Sequence, residues 1–127
     1  MRRVRYLTRT LLLVGLGLAS NVAVAGLDAK AQYEVSQLLA FVGQSQCTFI
    51  RNGKAYDRIA AEKHLEMKLH YLVERGQVNS AEDFIERAAS QSSFSGKPYL
   101  VDCGGGNERQ SADWLKEELH LLREPRP

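Results

Sequence analysis

No apolar run in this 127-residue chain is long enough to cross a bilayer, which takes about 20 residues. The longest, Leu11 to Ala19, is less than half of that. Cysteine is scarce: Cys47 and Cys103 are the only two, far apart and in no Cys-x-x-Cys pair, which argues against a dithiol redox site. There is no His-x-x-x-His and no carboxylate cluster, so no metal centre is expected. Gly-x-Ser-x-Gly is missing, and with it the nucleophile elbow of serine hydrolases. Gly104-Gly105-Gly106 lacks the lysine and the spacing of a phosphate loop, so a flexible turn is its expected use and no cofactor is expected. A large excess of one charge is also lacking. The 17 Lys and Arg nearly balance the 15 Asp and Glu.

What is present at the N-terminus is an address. Arg2, Arg3, Arg5 and Arg9 precede the short apolar run, and Ala23-Val24-Ala25 supplies a small-x-small cleavage pattern before Gly26. Residues 1–25 therefore read as a secretory signal peptide, cleaved after Ala25. The location expected is periplasmic, with residues 26–127 forming one small domain with a frayed, proline-containing tail. No cysteine stands at the cleavage point to make a lipoprotein. Removing four arginines and no acid turns the net charge of +2 into −2 (13 against 15), so the basic balance of the whole chain is no argument for nucleic acid.

Two cysteines in an exported chain read as a disulfide between Cys47 and Cys103. It would close a loop of about 57 residues, worth roughly 4 kcal/mol in the chain-entropy account.

Periodicity sets out the elements. Ala31, Val35, Leu38, Leu39 and Val42 recur at helical spacing after Asp28, an N-cap, with Gly43 as the stop. Asn52-Gly53 between β-prone flanks marks a hairpin over 47–56, because both central residues of that turn need positive φ. Asp57 caps a second helix to about Arg75, with Ala61, Leu65, Leu69 and Leu72 inward and Gly76 ending it. Ser80 caps a short third helix, with Asp83 at the capping-box position and Phe84, Ile85 and Ala88 as its apolar face. Residues 90–98 are a polar loop, Tyr99–Cys103 a strand, and Ser111 the cap of a last helix carrying Trp114, Leu115, Leu119 and Leu122. The order α-β-β-α-α-β-α gives an α+β fold: a three-stranded antiparallel sheet covered by about four helices.

These residues resemble a known family. The run Cys47-Thr48-Phe49-Ile50-Arg51-Asn52-Gly53-Lys54-x-Tyr56, then His64-Leu65-x-x-Lys68, Ala81-Glu82-Asp83-Phe84-Ile85, Ala89-Ser90-x-Ser92-Ser93-x-Ser95-Gly96-Lys97-x-Tyr99 and Trp114-Leu115 are similar to the exported bacterial proteins of domain-of-unknown-function family 5329, the YfeK-like proteins. The resemblance implies a small periplasmic protein with no assigned activity and no catalytic residues to carry over.

Two groups of residues invite chemistry. His64, Lys68, Tyr71 and Arg75 fall at i, i+4, i+7 and i+11, one basic stripe along the second helix. The loop gathers Ser92, Ser93, Ser95, Gly96 and Lys97. If the loop crosses the stripe, His64, Lys68, Tyr71, Ser93, Ser95 and Lys97 make an anion-binding pocket. The ordinary reading beside it is a solvated helix face and a plain turn. The expected function is a non-catalytic binding or interaction module of the cell envelope, with an envelope protein or an anionic envelope ligand as partner. The alternatives are a small hydrolase using a serine of the 92–95 loop with one of the three histidines, and, from Ser95-Gly96-x-x-Tyr99, a periplasmic lysozyme-inhibitor-like protein, whose fold would be a β-barrel.

Overall fold

The computed structural model describes Gly15, Gly17 and residues 26–127; the proposed signal peptide and its cleavage site after Ala25 lie outside the described residues. The first helix, α1 (Ala29–Gln44), begins where Asp28 Oδ1 accepts the Ala31 N–H at 2.8 Å. All five of its expected core positions are buried. Chain reversal follows at Asn52 and Gly53, with φ of 52° and 75°, so β1 (Thr48–Arg51) and β2 (Lys54–Tyr56) pair as the Asn-Gly signal requires.

Asp57 caps α2 (Arg58–Glu74), accepting the Ala60 N–H at 2.8 Å. Gly76, at φ 66°, takes the chain out of it. Ser80 caps α3 (Ala81–Asp83) through the Asp83 N–H at 3.0 Å, and Asp83 returns a carboxylate oxygen to the N–H of Asn79, one residue earlier than a capping box would place it. The helix runs on into one π-helical turn, Phe84–Ala88, which places Phe84, Ile85, Ala88 and Ala89 all inside the core.

The sheet has four antiparallel strands in the order β2-β1-β3-β4, not three. The strand β3 (Leu100–Asp102) pairs with β1, and the added edge strand β4 (Glu108–Gln110) pairs with β3. Glu108, Arg109 and Gln110 are all exposed, so no alternation of apolar and polar residues marks them in sequence. The class remains α+β, in the order α-β-β-α-α-β-β-α. The sheet is open, with edges at β2 and β4, and is not the closed barrel that a lysozyme-inhibitor-like fold would need. The Cys47–Cys103 disulfide flanks the Thr48↔Asp102 pair and ties the sheet's two central strands at one end.

The last helix, α4 (Ser111–Arg123), lays Trp114, Leu115 and Leu119 into the core. Its N-cap is Gln110, which makes no side-chain capping bond, and Ser111 is already the first helical residue. The hydroxyl expected to cap the helix is instead buried. At the other end of α4, Arg123 binds Glu34 of α1 through two hydrogen bonds of 2.6 and 2.9 Å and Glu82 of α3 through a third. Glu34 is 5% exposed, so this bond neutralises a buried charge.

Candidate functional site

The centre of the candidate site is Tyr99. Its ring is buried between α2 and the sheet, and its hydroxyl reaches the surface of α2. His64 Nε2 lies 3.0 Å from that hydroxyl and Lys68 Nζ donates to it at 3.1 Å. Lys68 also donates to the carbonyl of Gln91 at 2.9 Å. The spacing of His64 and Lys68, one helical turn, is what lets both meet one oxygen.

The electrostatics are one-sided. Burial, with Arg51 and Lys68 adding to it, pushes the His64 imidazole down to about 4. Burial and Arg51 push the Lys68 ammonium down to about 8, and burial pushes the Tyr99 phenol up. No carboxylate contributes to any of the three shifts. The phenol and the neutral imidazole share one hydrogen bond, in which Nε2 accepts the phenolic proton when the ring proton is on Nδ1 and donates to the phenolic oxygen when it is on Nε2. Arg51, on β1, stacks its guanidinium 4.3 Å from the centre of the Tyr56 ring.

The stripe on α2 divides. Arg75 turns back to donate to the Tyr71 carbonyl at 2.9 Å and lies 3.5 Å from the centre of the Tyr71 ring. Tyr71 is exposed, and with Met67, Lys68, Leu72 and Ser93 it lines a shallow hollow. The loop and the stripe therefore meet at Gln91 and Ser93. The rest of the loop leans on the hairpin instead: Asn52 donates to Ser92 Oγ at 3.2 Å and accepts the hydroxyl of Ser95. Ser92 Oγ also accepts the N–H groups of Phe94 and Ser95, and Ser95 Oγ that of Lys97. Ser92 and Ser95 are thus committed to Asn52 and the loop's own backbone, and His64 to Tyr99. The loop-serine hydrolase would require one of these hydroxyls on a histidine, and no such bond occurs among the described residues.

Four contributors are absent from the sequence-based candidates: Arg51, the Gln91 carbonyl, Tyr99 and Ser111. Tyr99 was legible as the start of a strand and as the end of the family and Ser95-Gly96-x-x-Tyr99 motifs, not as a partner of His64 and Lys68. Behind His64 and Tyr99 lies a cavity of about 40 Å³, lined almost wholly by apolar groups, among them Phe49, Ala61, Ala89 and Trp114. Ser111 also lines it, and its buried hydroxyl has no hydrogen-bond partner among the described residues. Among the described residues no three His, Cys, Asp or Glu side chains come together to hold a metal ion.

The arrangement defines a small α+β protein with a disulfide-tied sheet and a polar cluster in which basic groups converge without an acid. No described helix is long and apolar enough to cross a membrane. By sequence the chain belongs to the family of unknown function DUF5329, whose profile matches residues 29–123. It is similar to the uncharacterized protein YfeK of Salmonella typhimurium (strain LT2), 37% identical over 78 residues that cover 61% of this chain and 63% of that protein. No solved structure matches the chain.

Proposed function

We propose that this chain is an exported, non-catalytic binding module of the cell envelope that holds an anionic group where α2, the 90–98 loop and β1 meet. The observation that carries this reading is the meeting of His64 and Lys68 on the Tyr99 hydroxyl, with Arg51 in the same cavity wall as His64 and Tyr99 and no carboxylate among the groups that shift them. On top of burial, Arg51 disfavours the charged forms of both His64 and Lys68, and Lys68 that of His64, so an anion bound there would restore charge to them as it gains contacts. Tyr71 and Ser93 border the same hollow and extend the contact surface. Ser95 and Lys97 lie further along the loop and would meet only a larger partner. The basic start, the short apolar run and the small residues before Gly26 support export, and a disulfide fits an oxidising compartment.

The full-length gene product, expressed in a Gram-negative host and fractionated, tests both halves. Recovery in the periplasmic fraction with Gly26 as its first residue is expected. Inorganic phosphate or acetate, titrated into that protein, should shift the Lys68 and His64 side-chain resonances, and Lys68→Ala should abolish the response. A cytoplasmic, uncleaved product refutes export, and resonances that both anions leave unmoved refute the anion site.

A further inference from the structure

We infer that the cavity behind His64 and Tyr99 is a binding slot for the hydrocarbon tail of a short-chain aliphatic carboxylate, whose head lies on Arg51 and Lys68. The inference deepens the anion-site reading and rests on it.

Two observations support the slot. First, small side chains make it: Ala60, Ala61 and Ala89 line a space that larger residues would close. Its 40 Å³ accommodates about three water-sized groups, at roughly one for each 10–15 Å³. That suits a chain of about four carbons, carboxyl included, and is too small for a fatty acid or a nucleotide base. Second, the lining is overwhelmingly apolar, which suits methylenes better than water. The slot also opens beside the cationic cluster, since Arg51, His64 and Tyr99 are themselves in its wall. One molecule can therefore place methylenes inside and a carboxylate outside.

Trp114 is the chain's single tryptophan and lies in the slot wall, so its fluorescence reports occupancy directly. Each buried methylene is worth about fourfold in affinity, so butyrate should bind about 15-fold tighter than acetate. The experiment titrates the purified protein with acetate, butyrate and n-butanol, reading Trp114 emission and the Lys68 side-chain resonance. Ser111→Val and Ala61→Val each add bulk to the slot wall. Each is expected to bring the butyrate-to-acetate ratio to about one, and thermal melting confirms that each variant is folded. A wild-type ratio near one, with both acids moving Lys68, overturns the slot and leaves the anion site standing. Butanol quenching Trp114 while neither acid moves Lys68 overturns the carboxylate assignment together with the anion site. Silence toward all three overturns both.

Discussion

His64 Nε2 sits 3.0 Å from the Tyr99 hydroxyl, a bond that joins the middle of α2 to the residue just before β3 across 35 positions of sequence. It anchors the polar tip of a buried ring. Lys68, one turn on, completes the cluster from the same helix face. The edge-on packing of the two rings, with centroids 5.9 Å apart, adds a modest aromatic contact.

The first prediction concerns pH. His64 titrates at about 4 in the fold against 6.5 in the unfolded chain, so between those values the unfolded state binds the extra proton. The neutral imidazole's contribution is whole above 6.5 and is lost as pH falls toward 4. The melting temperature should fall across that window, and His64→Gln should remove this part of the slope. Lys68, at about 8 against 10.5, acts in the same direction higher up: stability gains as pH rises from 8 to 10.5. Carbon-detected NMR of the His64 ring and the Lys68 Cε should give midpoints near 4 and 8. A midpoint near 6.5 for His64 would mean that the ring is not buried beside Arg51 and Lys68 in solution.

Helices and hairpin were readable from the chain because their signals are local. Asp28, Asp57 and Ser80 all cap as expected, and Asn52-Gly53 turns the hairpin. The fourth strand was not readable, since Glu108, Arg109 and Gln110 carry no pattern of burial and become a strand only by pairing with β3. Ser111 misled for a related reason. A serine before an apolar helix satisfies the N-cap rule, yet the chain enters α4 from a strand edge and turns that side chain inward. Of the candidate site, the i, i+4 relation of His64 and Lys68 was visible. Their shared partner, Tyr99, and the field of Arg51 arise from strand pairing and helix packing, which one-dimensional spacing does not encode.

Asn52 has two roles that mutation can separate. It adopts positive φ in the hairpin turn, and its side-chain amide holds Ser92 and Ser95. Asn52→Ala loses both and should cost about 2 kcal/mol. Asn52→Gly keeps the turn and loses only the amide, so it should cost about 1 kcal/mol. Hydrogen exchange at the amides of 93–97 should quicken equally in both variants. Unchanged exchange would show that the loop is held by something other than Asn52.

Arg123 should be the most costly single arginine to remove near the core. Its side chain is 37% exposed, whereas that of Glu34 is only 7% exposed, so truncation strands a buried carboxylate. Solvent at the arginine end tempers the loss, and Arg123→Ala should cost about 2–3 kcal/mol in denaturant unfolding. The bond to Arg123 holds the Glu34 carboxyl below its usual value of 4.5. Its contribution is therefore present above pH 4.5 and is lost as pH falls through the lower folded value. Arg123→Ala should flatten that acid limb, and Arg123→Ala/Glu34→Gln should recover part of the stability. If the double variant is no better than the single one, the stranded charge is not the cause.

The disulfide carries the last prediction. Cys47 and Cys103 close a separation of 56 residues at the end of the two central strands, and neither is left as a free thiol. A constraint of that span removes conformational freedom mostly from the unfolded chain, so its loss should read as a lower melting temperature with little change in the folded sheet. Cys47→Ala/Cys103→Ala should lose roughly 4 kcal/mol of unfolding free energy. The Thr48↔Asp102 register should survive, because strand hydrogen bonds and the packing of Phe49 and Val101 fix it independently. Thiol counting on the denatured, unreduced wild type should give none, while two titratable thiols would refute the bond. Amide exchange in β1 and β3 then distinguishes the mechanisms: protection scaled down uniformly with global stability fits an effect on the unfolded state, and a selective loss at Thr48 and Asp102 would place it in the native sheet.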